Sequence, residues 1–200
     1  MNHDYKITEI DIEFVETAIN RLEDSFLSLE FLAKKFNENA VLKTSKYETI
    51  DPFTKQKRKY KYPLAFDLWK MYYFATSRIA DESILEIEES IKAFHDMIYE
   101  NPFISDYYYK VDQKNLVKTP EGFLYYVSDL KLKLLTGEDF AAHELACMIG
   151  VSNQAITHRI NREKTISKDK LHKVGNRYII PNNIARIEVA NSDSPLYKGK

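Results

Sequence analysis

One cysteine and five glycines are all that 200 residues contain, and these shortages remove several classes of protein at the outset. A lone Cys147 can build neither a disulfide framework nor a cysteine zinc site, and its place in an apolar helical pattern reads as a reduced core thiol. So few glycines leave no Gly-rich loop to cradle phosphates. The histidines, at positions 3, 95, 143, 158 and 172, do not fall at metal-ligand spacing, and no Ser/His/Asp set can be argued. A membrane span needs about eighteen consecutive apolar residues, and the chain has no such run. No charged, apolar and small-residue leader pattern follows Met1 either, so a cytosolic, membrane-free protein without cofactor or metal is the expectation.

What is present is a 44% hydrophobic, globular composition with an uneven division of charge. The whole chain carries −1, but residues 141–200 hold 10 Lys or Arg against 5 Asp or Glu, leaving 19 against 25 in the rest. A basic third on an acidic body suits a nucleic-acid module carried by an interaction or sensing module.

Apolar residues at Ile10, Phe14, Ala18, Leu22, Phe26, Leu29, Leu32 and Phe36 predict one long amphipathic helix over 7–36, with Val15 and Ile19 widening its face. Such a helix either crosses a whole domain or helps form a dimer. The following segment, with its Asp51-Pro52 turn signal, predicts a hairpin or ordered loop. Its basic patch, Lys55, Lys57, Arg58, Lys59 and Lys61 around Tyr60 and Tyr62, offers two readings. It is a secondary nucleic-acid contact, or a solvated strand whose lysines discourage edge pairing.

Pro63 opens a helix through Leu64, Leu68, Met71, Tyr72, Ala75 and Ile79. A second, capped by Asp81 or Ser83, turns Ile84, Ile87, Ile91, Phe94 and Ile98 inward and ends before Pro102. Thr119-Pro120 caps a third through Phe123, Val127, Leu130 and Leu134. Tyr107 to Tyr109, in the connection between them, are read as core packing. The pattern resets at Thr136-Gly137. The division expected is a mostly helical N-terminal domain over 1–135, a second domain over 136–190 and a flexible tail over 191–200.

The second domain holds the stretch "LACMIGVSNQAITHRI". Ala141, Leu145, Ala146 and Ile149 mark a short helix, Gly150 the tight turn and Ser152 the cap of a next helix that buries Ala155, Ile156 and Ile160. Asn153, Gln154, Thr157, His158 and Arg159 are left facing outward, with Arg162 just beyond. Amides for adenine, arginine for guanine and threonine for a phosphate or methyl group are what a major-groove helix uses. Downstream, "LHKVGNRYII" predicts a hairpin turning at Gly175-Asn176, with Lys173 and Arg177 near its tip, before Pro181 and a short helix or strand.

In this order, "ELACMIGVSNQAITHRI" and "KVGNRYIIPNNIARI" resemble the winged helix-turn-helix of the excisionase and MerR-like DNA-binding superfamily. The resemblance covers roughly residues 138–190; the link "NREKTISKDK" is longer and more charged than the family pattern. It implies a mainly α fold whose C-terminal head binds double-stranded DNA. Ser152, Asn153, Gln154, Thr157, His158, Arg159 and Arg162 would lie on the duplex, with Lys173 and Arg177 as wing contacts. The same fold also serves in protein contact alone.

No catalytic constellation competes well with this reading. "VDQK", with Asp112 and Lys114 and either Asp96 or Glu100, has nuclease-like spacing but no supporting strand context. A non-enzymatic, dimeric transcriptional regulator is the first expectation, with a protein or small-molecule effector at the N-terminal domain. A recruiting or architectural DNA-binding adaptor is second and a metal-dependent nuclease third.

Overall fold

Helix α2 (Leu64–Ala75) has no polar face to show to water, and the first part of the chain is built around it. Leu64, Ala65, Leu68, Trp69, Met71, Tyr72, Tyr73, Phe74 and Ala75 are all buried, the pattern of a helix surrounded by others. Helices α1 (Ile12–Phe36), α3 (Ile84–Ile98) and α4 (Pro120–Thr136) pack against it. The computed structural model describes residues 5–39, 47–50, 57–76, 84–100, 117–162, 166, 168–175 and 177–194. Helix starts at Asp81 or Ser83, the role of Ile79, the Asp51-Pro52 turn and the placing of Tyr107 to Tyr109 lie outside those residues.

The single helix expected over 7–36 is corrected at its start. Asp11 accepts a hydrogen bond from the Phe14 amide at 2.8 Å and caps α1 there, leaving Ile7–Glu9 as a separate 3-10 turn. Its inward stripe is fully buried as far as Leu22; Phe26 and Leu29 are half-buried against the same core, and Leu32 and Phe36 are exposed. In α3 the expected inward residues Ile87, Ile91, Phe94 and Ile98 are buried, but Ile84, the first helical residue, is exposed. Thr119 caps α4 through the Gly122 amide, with Pro120 first in the helix. The expected hairpin forms from β1 (Tyr47–Ile50) and β2 (Lys57–Tyr60), antiparallel with Glu48 opposite Lys59.

Three buried polar side chains within this part are paired. Glu121, fully buried, meets Arg21 at 3.2 Å. Ser128 donates to the Met71 carbonyl at 3.1 Å, and Lys131 Nζ donates to the Phe74 carbonyl near the end of α2. Burial lowers the Lys131 ammonium to a pKa of about 8.

The C-terminal part joins α5 (Ala142–Ile149), α6 (Asn153–Asn161) and α7 (Asn182–Ala190) to a three-stranded antiparallel sheet. Its order is β3 (Phe140–Ala141), β5 (Arg177–Ile180), β4 (His172–Val174). The protein is therefore mainly α, with seven helices among the described residues. None of those helices is long and apolar enough to cross a membrane.

Between the two parts, the end of α4 is latched rather than frayed. Gly137, at φ 91°, ends the helix, and the Glu138 amide returns to the Lys133 carbonyl. The orphan carbonyls then receive donors from α7: Asn182 Nδ2 reaches Leu134 O at 3.0 Å, and Arg186 reaches Leu134 O and Leu135 O at 3.1 and 3.2 Å. Lys133 also pairs with Glu144 on α5 at 2.9 Å. One hydrophobic cluster runs through both parts, from Ile7 to Val189. The flexible tail expected from 191 is corrected as well: Ser194 is buried and its hydroxyl donates to the Met148 carbonyl, so 191–194 belong to the packed structure.

Candidate nucleic-acid interface

Two short helices and the turn between them set the geometry. Gly150, at φ 71°, occupies the left-handed region, its amide bonds to Cys147 O at 3.2 Å, and the Val151 amide bonds to Ala146 O at 3.0 Å. This paired bonding closes α5 and turns the chain at once. Ser152 Oγ then accepts from the Ala155 amide at 3.2 Å and starts α6. Leu145, Ala146, Met148, Ile149, Ile156 and Ile160 are buried between the helices and sheet, with Ala155 half-buried. Cys147 is buried among them, and burial pushes its thiol up to about 12, so it is a protonated packing group.

The strand pair Phe140–Ile180 and Ala141–Ile179 ties the entrance of α5 to the hairpin β4–β5. The Ala141 amide donates to Glu144 at 2.7 Å and fixes the bend from strand into helix. Periodicity gave no sign of β3 because two residues are too short to show alternation. The hairpin turns at Gly175, φ 60°, with Val174 opposite Arg177 and Lys173 opposite Tyr178. Asn176 lies outside the described residues.

On α6 the outward residues fall into two groups. Gln154, His158 and Arg162 are exposed, stand four residues apart in one row, and make no side-chain bond to another described residue. Ser152 and Thr157 are also exposed, but Thr157 Oγ1 donates back to the Asn153 carbonyl at 3.0 Å. Asn153 is half-buried, and its Oδ1 finds no partner among the described residues. The expectation that Arg159 faces outward like its neighbours is corrected. Its guanidinium lies 2.8 Å from the buried Glu188 carboxylate of α7, so it braces the head. Sequence alone could not show this, because the partner is 29 residues away.

At the wing, Lys173 and Arg177 are exposed, and Val174 presents an apolar side chain at the tip with 67% of its surface free. Lys173 Nζ lies 5.9 Å from the Tyr178 ring centre. His143, half-buried on α5, is held below the usual imidazole pKa chiefly by burial, with Arg177 among the cations that add to the shift.

The secondary basic patch is corrected too. Arg58 pairs with Glu16 and lies 4.3 Å over the Trp69 ring, Lys59 meets Glu48 at 2.8 Å, and Lys61 meets Glu23 at 3.8 Å. Neighbouring carboxylates neutralise these cations, which leaves exposed Lys57 as a single charge; Lys55 lies outside the described residues. Asp112 and Lys114 lie outside them as well. Asp96 and Glu100 come together with His95 at the end of α3, their ligand atoms within 4.8 Å of one another. Both carboxylates are exposed to competing water.

No family model, curated protein or solved structure matches the chain.

Proposed function

We propose that the protein is a cytoplasmic, sequence-specific DNA-binding transcriptional regulator that inserts α6 into the major groove and sets the β4–β5 wing on the adjacent backbone. The observation that carries this reading is a single exposed row of Gln154, His158 and Arg162 on a helix fixed by a tight turn, with a wing bearing Lys173 and Arg177 packed on α5, as α6 is. Each side chain of the row offers donors or acceptors that base edges or phosphates match. The helix N-terminus adds partial positive charge near Ser152. The head is small, and one such unit reads few base pairs, so a dimer on two half-sites gives useful specificity.

Selection of bound sequences from a random duplex pool, repeated with Gln154→Ala, tests the role of α6. If Gln154 reads a base, affinity for the selected site falls by roughly 1–3 kcal/mol and preference relaxes at one position. Uniform weakening on every sequence would make Gln154 a backbone contact, and unchanged binding would remove α6 from the interface.

A further inference from the structure

The last three turns of α1 carry more apolar surface than the fold uses. Leu27 is 42% exposed, Phe31 61%, Leu32 39% and Phe36 92%. Packing against the rest of the fold continues through Phe26, whose ring meets Tyr62 at 4.7 Å, and fades after Leu29. Leu27 and Phe31, four residues apart, share a face turned away from the stripe that Phe14, Ala18 and Leu22 bury. Leu32 and Phe36 prolong that stripe rather than this face, so its apolar part is Leu27 and Phe31, two large side chains side by side that a partner would cover.

The charges beside that face identify the partner. Asp24 stands one turn before Leu27, and Lys34 and Lys35 stand one turn after Phe31. Laid parallel, two copies set acid against acid and base against base. Laid antiparallel about position 29, they set Leu27 against Phe31 and Asp24 against Lys34, so the surface is complementary to itself. A two-fold interface requires this property. Glu23 is engaged with Lys61 at 3.8 Å, whereas Lys34, still half exposed, contacts Glu30 of its own helix at 2.7 Å and keeps further N–H donors for a carboxylate across the pair. Asp24 forms no side-chain bond to another described residue.

We infer that the C-terminal half of α1 is the docking surface for a second copy of the chain, paired antiparallel with Leu27 against Phe31 and Asp24 against Lys34. This deepens the DNA-binding reading, on which it rests for its purpose, by naming the surface that brings two heads together. The opposite end of α1 lies beside the head: the Ile7–Glu9 turn packs on α5, and Ile7 approaches Gly150. At 1.5 Å per residue, pairing about position 29 sets the two N-terminal ends of α1 about 50 Å apart, between one and two turns of DNA.

Sedimentation equilibrium of the full chain tests the pairing, with thermal melts to confirm that each variant folds. The wild type is expected to form a dimer. Leu27→Ser with Phe31→Ser should weaken it at least about tenfold. Lys34→Glu alone should weaken it about fivefold, and Asp24→Lys added to Lys34→Glu should restore it to within about twofold, because the exchanged charges again face each other. A monomeric wild type, a dimer indifferent to Leu27 and Phe31, or a charge exchange that fails to restore association would overturn the inference. Binding of a labelled random duplex by the same proteins separates the two readings. Dimers that respond as expected without binding DNA would sink only the regulatory reading. DNA binding by a wild type that stays monomeric would sink only the pairing.

Discussion

At the scale of single residues, Arg159 is a polar side chain of α6 that serves its own scaffold, while Gln154, His158 and Arg162 of the same helix are left to solvent. Its bond to Glu188 neutralises a carboxylate that the packing of α7 has buried. Arg159→Ala leaves that carboxylate without its partner, and because the arginine itself is partly exposed the expected loss is roughly 1–2 kcal/mol of stability. Thermal melts check the loss, and selected-site sequencing should return an unchanged preference; a relaxed preference would return Arg159 to the readers.

Lys131 offers a test by pH. Burial lowers its pKa to about 8 from an ordinary 10.5, so the folded protein binds fewer protons than the unfolded chain between those values. Stability from this group is therefore gained as pH rises through that window, and the cost of the buried charge is complete below it. Lys131→Met is expected to gain on the wild type by up to roughly 2–3 kcal/mol more at neutral pH than near pH 10. Denaturant titrations at the two pH values decide it, and a difference that does not change with pH would contradict a charged, desolvated lysine. Burial gives Cys147 the opposite shift, and its thiol is expected to resist a disulfide reagent until denaturant opens the head.

At the scale of elements, two kinds of sequence signal proved legible. Caps and stops were one: Ser152, Thr119 with Pro120, and Gly150 stand where their side chains or backbone freedom imply. Apolar periodicity was the other, and it located the helices at Phe123 to Leu134 and at Leu64 to Ala75. Both are local properties of the chain. What escaped depended on partners distant in sequence: the strand β3, the Arg159–Glu188 pair, and the carboxylates covering Arg58, Lys59 and Lys61. The long stripe of α1 was legible as a stripe, but not the point at which its packing stops. The outward row of α6 was visible from spacing, whereas the loss of Arg159 from it was not.

Gly150 carries the element-scale prediction. An added Cβ would meet Ile7 at 3.6 Å, an ordinary contact, so the cost of replacement lies in its φ of 71°. Gly150→Ala should cost about 1 kcal/mol and Gly150→Val more, since branching at Cβ disfavours the left-handed region further. Equal melting temperatures for all three proteins would mean that the turn relaxes to another conformation.

At the scale of the molecule, the division of charge and the latch between α4 and α7 belong together. A basic C-terminal region is held on the rest of the chain by Asn182 and Arg186 against the carbonyls that end α4, by Lys133 against Glu144, and by a shared core. The head is thus oriented by the body, and a change in α4 has a direct route to α5 and, through it, to α6. Under the proposed DNA-binding role, exposed Arg162, Lys173 and Arg177 would give each head three cations for phosphates, which predicts a salt slope of about −3 in log K against log salt. Removing Lys173 or Arg177 should reduce that slope by about one.

The most direct measurement is an anisotropy titration of a labelled random duplex pool with the full chain at two salt concentrations, beside a variant carrying Gln154→Ala, His158→Ala and Arg162→Ala. Salt-sensitive binding by the wild type, weakened at least tenfold in the variant while its melting temperature holds, is the result expected of a major-groove α6. Equal binding by both proteins, or binding by neither, would contradict the proposed interface.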